Sequence, residues 1–89
     1  MANFYSLYNS FEEMYDTMFR GNEIEFVYKQ KRYCLLPHFN DNEIVGVIFG
    51  EFGNEKTVFL SKQELYHQKI EDDSFCNILS KIDIIWHNL

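Results

Sequence analysis

The chain has 89 residues, with nine Phe, six Tyr, one Trp and a formal net charge of -6. That length makes one α+β domain, residues 1–89, which buries only about 60–65% of its unfolded surface, and the rings supply the dense core it needs. The acidic balance argues against direct nucleic-acid binding and against an anionic membrane surface. The apolar runs are too short to span a bilayer, and scarce Gly and Pro argue against disorder.

Residues 1–9 are aromatic-rich without a clear period. Phe4, Leu7, Tyr8 and Phe11 either continue a helix backwards or pack as an extended arm. No basic segment or signal-peptide core stands at the start, so a cytoplasmic protein is expected. Ser10 and Glu13 have the spacing of a capping box, and Phe11, Met14, Tyr15, Met18 and Phe19 mark one face of a helix over 11–20. Gly21 supplies the left-handed residue that ends it.

Glu23 to Phe39 reads as a hairpin. Ile24, Phe26 and Tyr28 alternate with Glu23, Glu25 and Lys29, the period of a half-buried strand. Gln30 and Lys31 are expected as the turn and Arg32 to Leu36 as the return strand. Pro37 should end that strand or put it on a sheet edge. Asn40-Asp41-Asn42 is a turn. Glu43 to Phe52 is a third strand, apolar on both faces and therefore expected to be covered more fully than its neighbours. Gly46 and Gly50 share one face of it and leave room for a bulge or a bulky ring. Gly53-Asn54 makes a turn, and Lys56 to Leu60 a fourth strand.

Ser61 and Glu64 form a second capping box, with Leu60 and Leu65 placed as a hydrophobic staple. A helix from Lys62 to near Lys69-Ile70 follows. Asp72-Asp73-Ser74 offers caps for another, and Phe75, Ile78, Leu79, Ile82, Ile85, Trp86 and Leu89 keep helical spacing. The alternative is that Ile82 to Trp86, partly β-branched, breaks away as an extended segment. The expected architecture is an N-terminal helix, a four-stranded antiparallel meander and two C-terminal helices packed on the sheet.

The stretches Phe-Glu-Glu-Met, Glu-Ile-Glu-Phe-Val-Tyr-Lys-Gln-Lys-Arg-Tyr and Phe-Leu-Ser-Lys-Gln-Glu-Leu resemble a group of small proteins from Gram-positive bacteria and their phages. The resemblance covers most of the chain and is carried by structural motifs. It implies provenance in a mobile element and carries no catalytic signature onto numbered residues.

The residues able to carry chemistry have no catalytic or ligand spacing. Cys34 and His38 are four apart with Pro37 between them, and His67 and His87 are isolated, so no metal or cofactor is expected. Cys34 and Cys76 read as buried thiols. No local sequence pairs a nucleophile with a base, and no glycine-rich phosphate loop is present, so the chain is expected not to be an enzyme.

The acids, by contrast, are grouped. Residues 1–25 and 41–55 each carry a net -4, whereas residues 26–40 carry +3. Glu12, Glu13, Asp16, Glu23, Glu25, Asp41, Glu43, Glu71, Asp72 and Asp73 are the candidate partner-binding acids, with Trp86 and Tyr8 as candidate aromatic anchors. The leading expectation is a non-enzymatic protein-binding protein. In its most concrete form it is a small acidic inhibitor, of anti-CRISPR or other anti-defence type, of a basic nucleic-acid-handling host protein. The alternative is a structural or regulatory homodimer without a charge-driven partner.

Overall fold

The computed structural model describes residues 2–52 and 54–88, and the backbone alone of Asn54–Leu60. The chain opens with a two-residue strand, β1 (Ala2–Asn3), and one helical turn, α1 (Phe4–Leu7). The helix over 11–20 does not continue backwards: α1 is a separate turn that ends at the extended Tyr8, and Ser10 starts the next helix afresh. The Asn3 side chain makes the switch from β1 to α1: its Oδ1 accepts from Tyr5 N at 3.0 Å as an N-cap, and its Nδ2 donates to the Ser80 carbonyl at 3.0 Å.

Helix α2 (Phe11–Met18) follows the expected periodicity, with Phe11, Met14, Tyr15 and Met18 buried. Ser10 Oγ accepts from Glu13 N, but the Glu13 carboxylate reaches past the N-cap to Asn9 N at 3.1 Å. Gly21 adopts a φ of +94° and closes the helix, its N–H donating to the Met18 carbonyl at 3.1 Å.

The meander is β2 (Ile24–Tyr28), β3 (Lys31–Asn40), β4 (Glu43–Glu51) and β5 (Asn54–Leu60). Its first turn is Lys29-Gln30, one residue earlier than expected, with φ of 50° and 68°. A two-residue hairpin closing on Tyr28 and Lys31 makes odd-numbered β3 residues direct their N–H toward β2. Pro37 therefore lacks a donor only where β2, which begins at Ile24 opposite Leu35, has already ended. Strand β3 runs on through Pro37 to Asn40, paired on its other side with β4. The register slips between His38 and Phe39, where β4 carries the extra residue Val45 beside Gly46, and between Phe49 and Glu51, where the extra residues are on β5. The first is a bulge in the strand expected to have one, next to Gly46. The turn expected at Gly53-Asn54 and the Leu60 half of the staple lie outside the described residues.

After the meander come α3 (Lys62–Tyr66), the small hairpin β6 (Lys69–Ile70) and β7 (Asp73–Ser74), and α4 (Phe75–Ile78). A 3-10 turn (Leu79–Lys81) and a strand, β8 (Asp83–His87), complete the chain. Both arms of the Ser61–Glu64 capping box are present. Helix α3 stops before Lys69-Ile70, which joins the β6–β7 hairpin, and the Asp73 carboxylate rather than Ser74 supports the start of α4.

The continuous C-terminal helix is overturned. Strand β8 pairs antiparallel with β2, and β1 pairs with β8, so the sheet has the order β1-β8-β2-β3-β4-β5. The sheet is therefore longer than a four-stranded meander. Ile78, Ile82 and Ile85 satisfy a helical period, but Ile82 and Ile84 equally satisfy a strand with one face inward. The open edge of β2 decides between them, because its backbone groups need partners that a helix cannot give.

The α+β core lies on one sheet face. A run of rings crosses it: Tyr33 stacks on Phe49 at 5.7 Å and on Phe26 at 5.3 Å, and Phe26 stacks on Phe75 at 5.5 Å. Phe75 then meets Phe11 edge-on at 5.9 Å. These contacts bind β4, β3 and β2 to α4 and α2, and each pair adds about 0.5–1.5 kcal/mol beyond its buried area. Among the described residues, no helix is long and apolar enough to cross a membrane.

Candidate functional site

The face of the sheet away from this core has a different lining. In register, Cys34 stands opposite Gly50, Leu36 opposite Ile48, and Glu25 opposite both Cys34 on one side and Trp86 on the other. On this face β4 is covered unevenly: Gly46 and Gly50 are buried, Ile48 is half-buried, and Val45, at the register slip, is 45% exposed. A groove of about 460 Å³ runs along this face. Its apolar lining comes from Leu36, Phe52, Ile85 and Trp86, and its charged lining from Glu23, Glu25 and Arg32. Phe52 and Trp86 are 49% and 45% exposed.

Arg32 is held in a fixed arrangement. Its Nη2 donates to Glu25 Oε2 at 2.7 Å, and its guanidinium lies 4.5 Å from the centre of the Phe52 ring. Cys34 also lines the groove, and burial first, then the Glu25 charge, push its thiol pKa above the ordinary value. A protonated thiol is a weak nucleophile. Among the described residues, no three His, Cys, Asp or Glu side chains converge on a metal position.

Trp86 is placed by the end of the chain. Asn22 is fully buried and satisfied: Nδ2 donates to Tyr8 Oη at 3.0 Å and to Thr17 Oγ1 at 2.8 Å, and Oδ1 accepts from Asn88 N at 3.2 Å. Asn88 returns the contact by accepting from Glu23 N through Oδ1 at 2.6 Å. This exchange clamps the end of β8 beside the start of β2, and so sets Trp86 beside Glu25 and Glu23. The sequence offered no signal for it beyond an Asn just after a helix-ending Gly.

The candidate acids do not share one surface. Glu12, Glu13 and Asp16 are exposed on α2, whose buried side enters the core on the opposite sheet face from Glu23 and Glu25. Asp41 and Glu43 sit at the β3–β4 turn and are exposed. Glu71 pairs with Lys31 at 3.0 Å and accepts from Tyr33 Oη at 3.0 Å, and Asp72 pairs with Lys29 at 2.9 Å. Hydrogen bonds from Lys31 and Tyr33 hold the Glu71 carboxyl below its usual range, and the bond from Lys29 does so for Asp72. Asp73 is lowered chiefly by Asn77 Nδ2 at 2.9 Å.

Tyr8 is corrected as an exposed anchor. It is 6% exposed, with its hydroxyl committed to Asn22, so it is a core side chain. Glu23, Glu25 and Trp86 are the three candidate residues that the fold brings together. Sequence reasoning missed Arg32, Leu36, Phe52 and Ile85, because only the pairing of β8 with β2 and the end of β4 assembles them.

No protein-family model, no curated protein and no solved structure matches this chain.

Proposed function

We propose that this chain is a non-enzymatic protein-binding protein that recognises a basic partner. One observation carries the reading. The fold consumes its own central cations, with Lys29, Lys31 and Arg32 each closed onto Asp72, Glu71 and Glu25. What remains facing outward on α2, at the β3–β4 turn and at Glu23 is acidic. These separate acidic regions together give the chain a negative field that speeds encounter with a positively charged partner and disfavours nucleic acid itself. The more specific version is an inhibitor of a nucleic-acid-handling host protein, of anti-defence type. It is supported by the acidic balance together with the resemblance to small phage-borne proteins.

The test is capture of host proteins on the immobilised chain at low and high salt, with identification by mass spectrometry. A basic partner that is lost at high salt, and on charge reversal at Glu12, Glu13, Asp16 and Glu23, is the expected result. Binding indifferent to salt and to those changes would overturn the charge-driven reading. A homodimer is the second reading, favoured by the exposed Phe52 and Trp86 on one sheet face. Light scattering across concentration, for the wild type and Trp86→Ala, decides it.

A further inference from the structure

The groove contains one complete cation clamp and half of a second. In the complete one, the Arg32 guanidinium is gripped by the Glu25 carboxylate and the Phe52 ring. Glu23 stands two residues before Glu25, just ahead of the first residue of β2, and lines the same groove. Trp86 is opposite Glu25 in register, and Ile24, the residue after Glu23, is opposite His87, the residue after Trp86. Trp86 lines the groove as well. The Glu23 carboxylate has no ion pair or side-chain hydrogen bond among the described residues, while its backbone N–H is fixed by Asn88. Acid and ring therefore line one groove, with the backbone at both strand ends held by the Asn22–Asn88 exchange.

We propose that the groove receives an arginine or lysine side chain of a protein partner, seated between the Glu23 carboxylate and the Trp86 ring. The proposal rests on the reading of the chain as a binder of a basic protein, and it names the contact. Charge selects the occupant: two carboxylates face one guanidinium that is already paired, so the groove is net acidic and repels phosphate. Indole is the ring that best attracts a cation. Leu36 and Ile85 offer apolar surface to the aliphatic stem of the incoming side chain, which a small free cation does not have.

The single tryptophan of the chain makes its fluorescence a direct reporter. The probes are the acetylated and amidated peptides Gly-Leu-Arg-Leu-Gly and Gly-Leu-Gln-Leu-Gly, with spermidine as a stemless cation. The arginine peptide is expected to shift Trp86 emission saturably and the glutamine peptide to do so at least about tenfold more weakly, the weight of one charge-assisted hydrogen bond. Glu23→Gln should weaken the arginine peptide by a similar factor, and Glu12→Gln with Asp16→Asn should leave it unchanged. An emission shift that ignores Glu23→Gln, or no saturable shift, would overturn the proposal. So would an equal response to spermidine. Circular dichroism of Glu23→Gln confirms that the variant is folded before its affinity is read. If the peptide fails while a salt-sensitive basic partner is still captured through the α2 acids, this inference falls and the proposed function stands. If the peptide binds as expected while capture returns no basic protein, the converse holds.

Discussion

On β3, Tyr33 and Leu35 turn inward and are 5% and 1% exposed, whereas their neighbours Cys34 and Leu36 line a groove open to solvent. The same strand thus serves two surfaces with different physics. Inside, rings stack on rings from three strands and two helices, and Phe11, Phe26, Tyr33, Phe49 and Phe75 are all buried. Outside, apolar residues are left half-covered beside Glu23, Glu25 and Arg32. A surface kept merely soluble has no need of Leu36, Ile48, Phe52, Ile85 and Trp86 on one side. Burial is concentrated on the inner face, and half-covered apolar surface on the outer one.

The largest expected effect tests that division. Phe75→Ala removes the ring that joins Phe26 to Phe11 and should cost about 3–5 kcal/mol in denaturant unfolding. Trp86→Ala and Phe52→Ala, on the outer face, should each cost under about 1 kcal/mol. Comparable losses on both faces would remove the distinction and make the groove part of the core.

A smaller effect is expected where the two faces are joined. Asn22→Leu leaves the buried Tyr8 hydroxyl without its Asn22 partner and removes the acceptor of the Asn88 N–H, while the Thr17 hydroxyl keeps its bond to the Met14 carbonyl. It should cost about 1–3 kcal/mol. It should also loosen the end of β8, so that Trp86 emission moves toward that of free tryptophan before global unfolding. Unfolding with no separate change at Trp86 would show that the clamp supports the core alone.

The contrast between the faces also explains what the sequence could and could not convey. Helix α2, both Ser caps, the Gly21 stop and the alternation along β2 are local facts, set by residues within four positions of each other, and they are legible. The β8 strand is not local. Its isoleucines fit two periods, and the choice is made by an unpaired edge of β2 some 60 residues earlier in the chain. The groove inherits that difficulty, because Glu25, Arg32, Phe52 and Trp86 come from four separate places. Apolar residues at Leu36 and Ile48 are indistinguishable in sequence from core residues, so an open apolar face reads as a covered one.

Two backbone positions sharpen the comparison at about the 1 kcal/mol level. At Gly21, with φ of +94°, an added Cβ meets nothing within 4 Å. Gly21→Ala should therefore destabilise by about 1–2 kcal/mol through backbone strain alone. At Gln30, with φ of 68°, the chain already bears that strain, and Gln30→Gly should stabilise by roughly 0.5–1 kcal/mol. The paired measurement is the thermal midpoint of each variant. Equal signs would mean that contacts, not backbone, govern the two turns.

The smallest effect concerns the ion pairs that hold the strained Lys29-Gln30 turn against the β6–β7 hairpin. Glu71 and Asp72 are held below their unfolded pKa values by Lys31 and Lys29. Their contribution is complete above roughly pH 5, since unfolded carboxyls titrate near 4, and it is lost as pH falls through the depressed folded values. Lys29 and Lys31 are raised by the same contacts, so their share is complete below about pH 10 and is lost only above the folded values. All four groups meet water, and salt screens them, so the stability change is small and the structural readout is the better one. Amide resonances of Lys29, Gln30 and Glu71 should move together on acidification below pH 4, while those of Phe26 and Phe75 stay fixed. Glu71→Gln should reproduce the low-pH positions of the turn at neutral pH. Simultaneous movement of the Phe26 and Phe75 amides would show instead that the core depends on these pairs, and that the inner face does not carry the fold by packing alone.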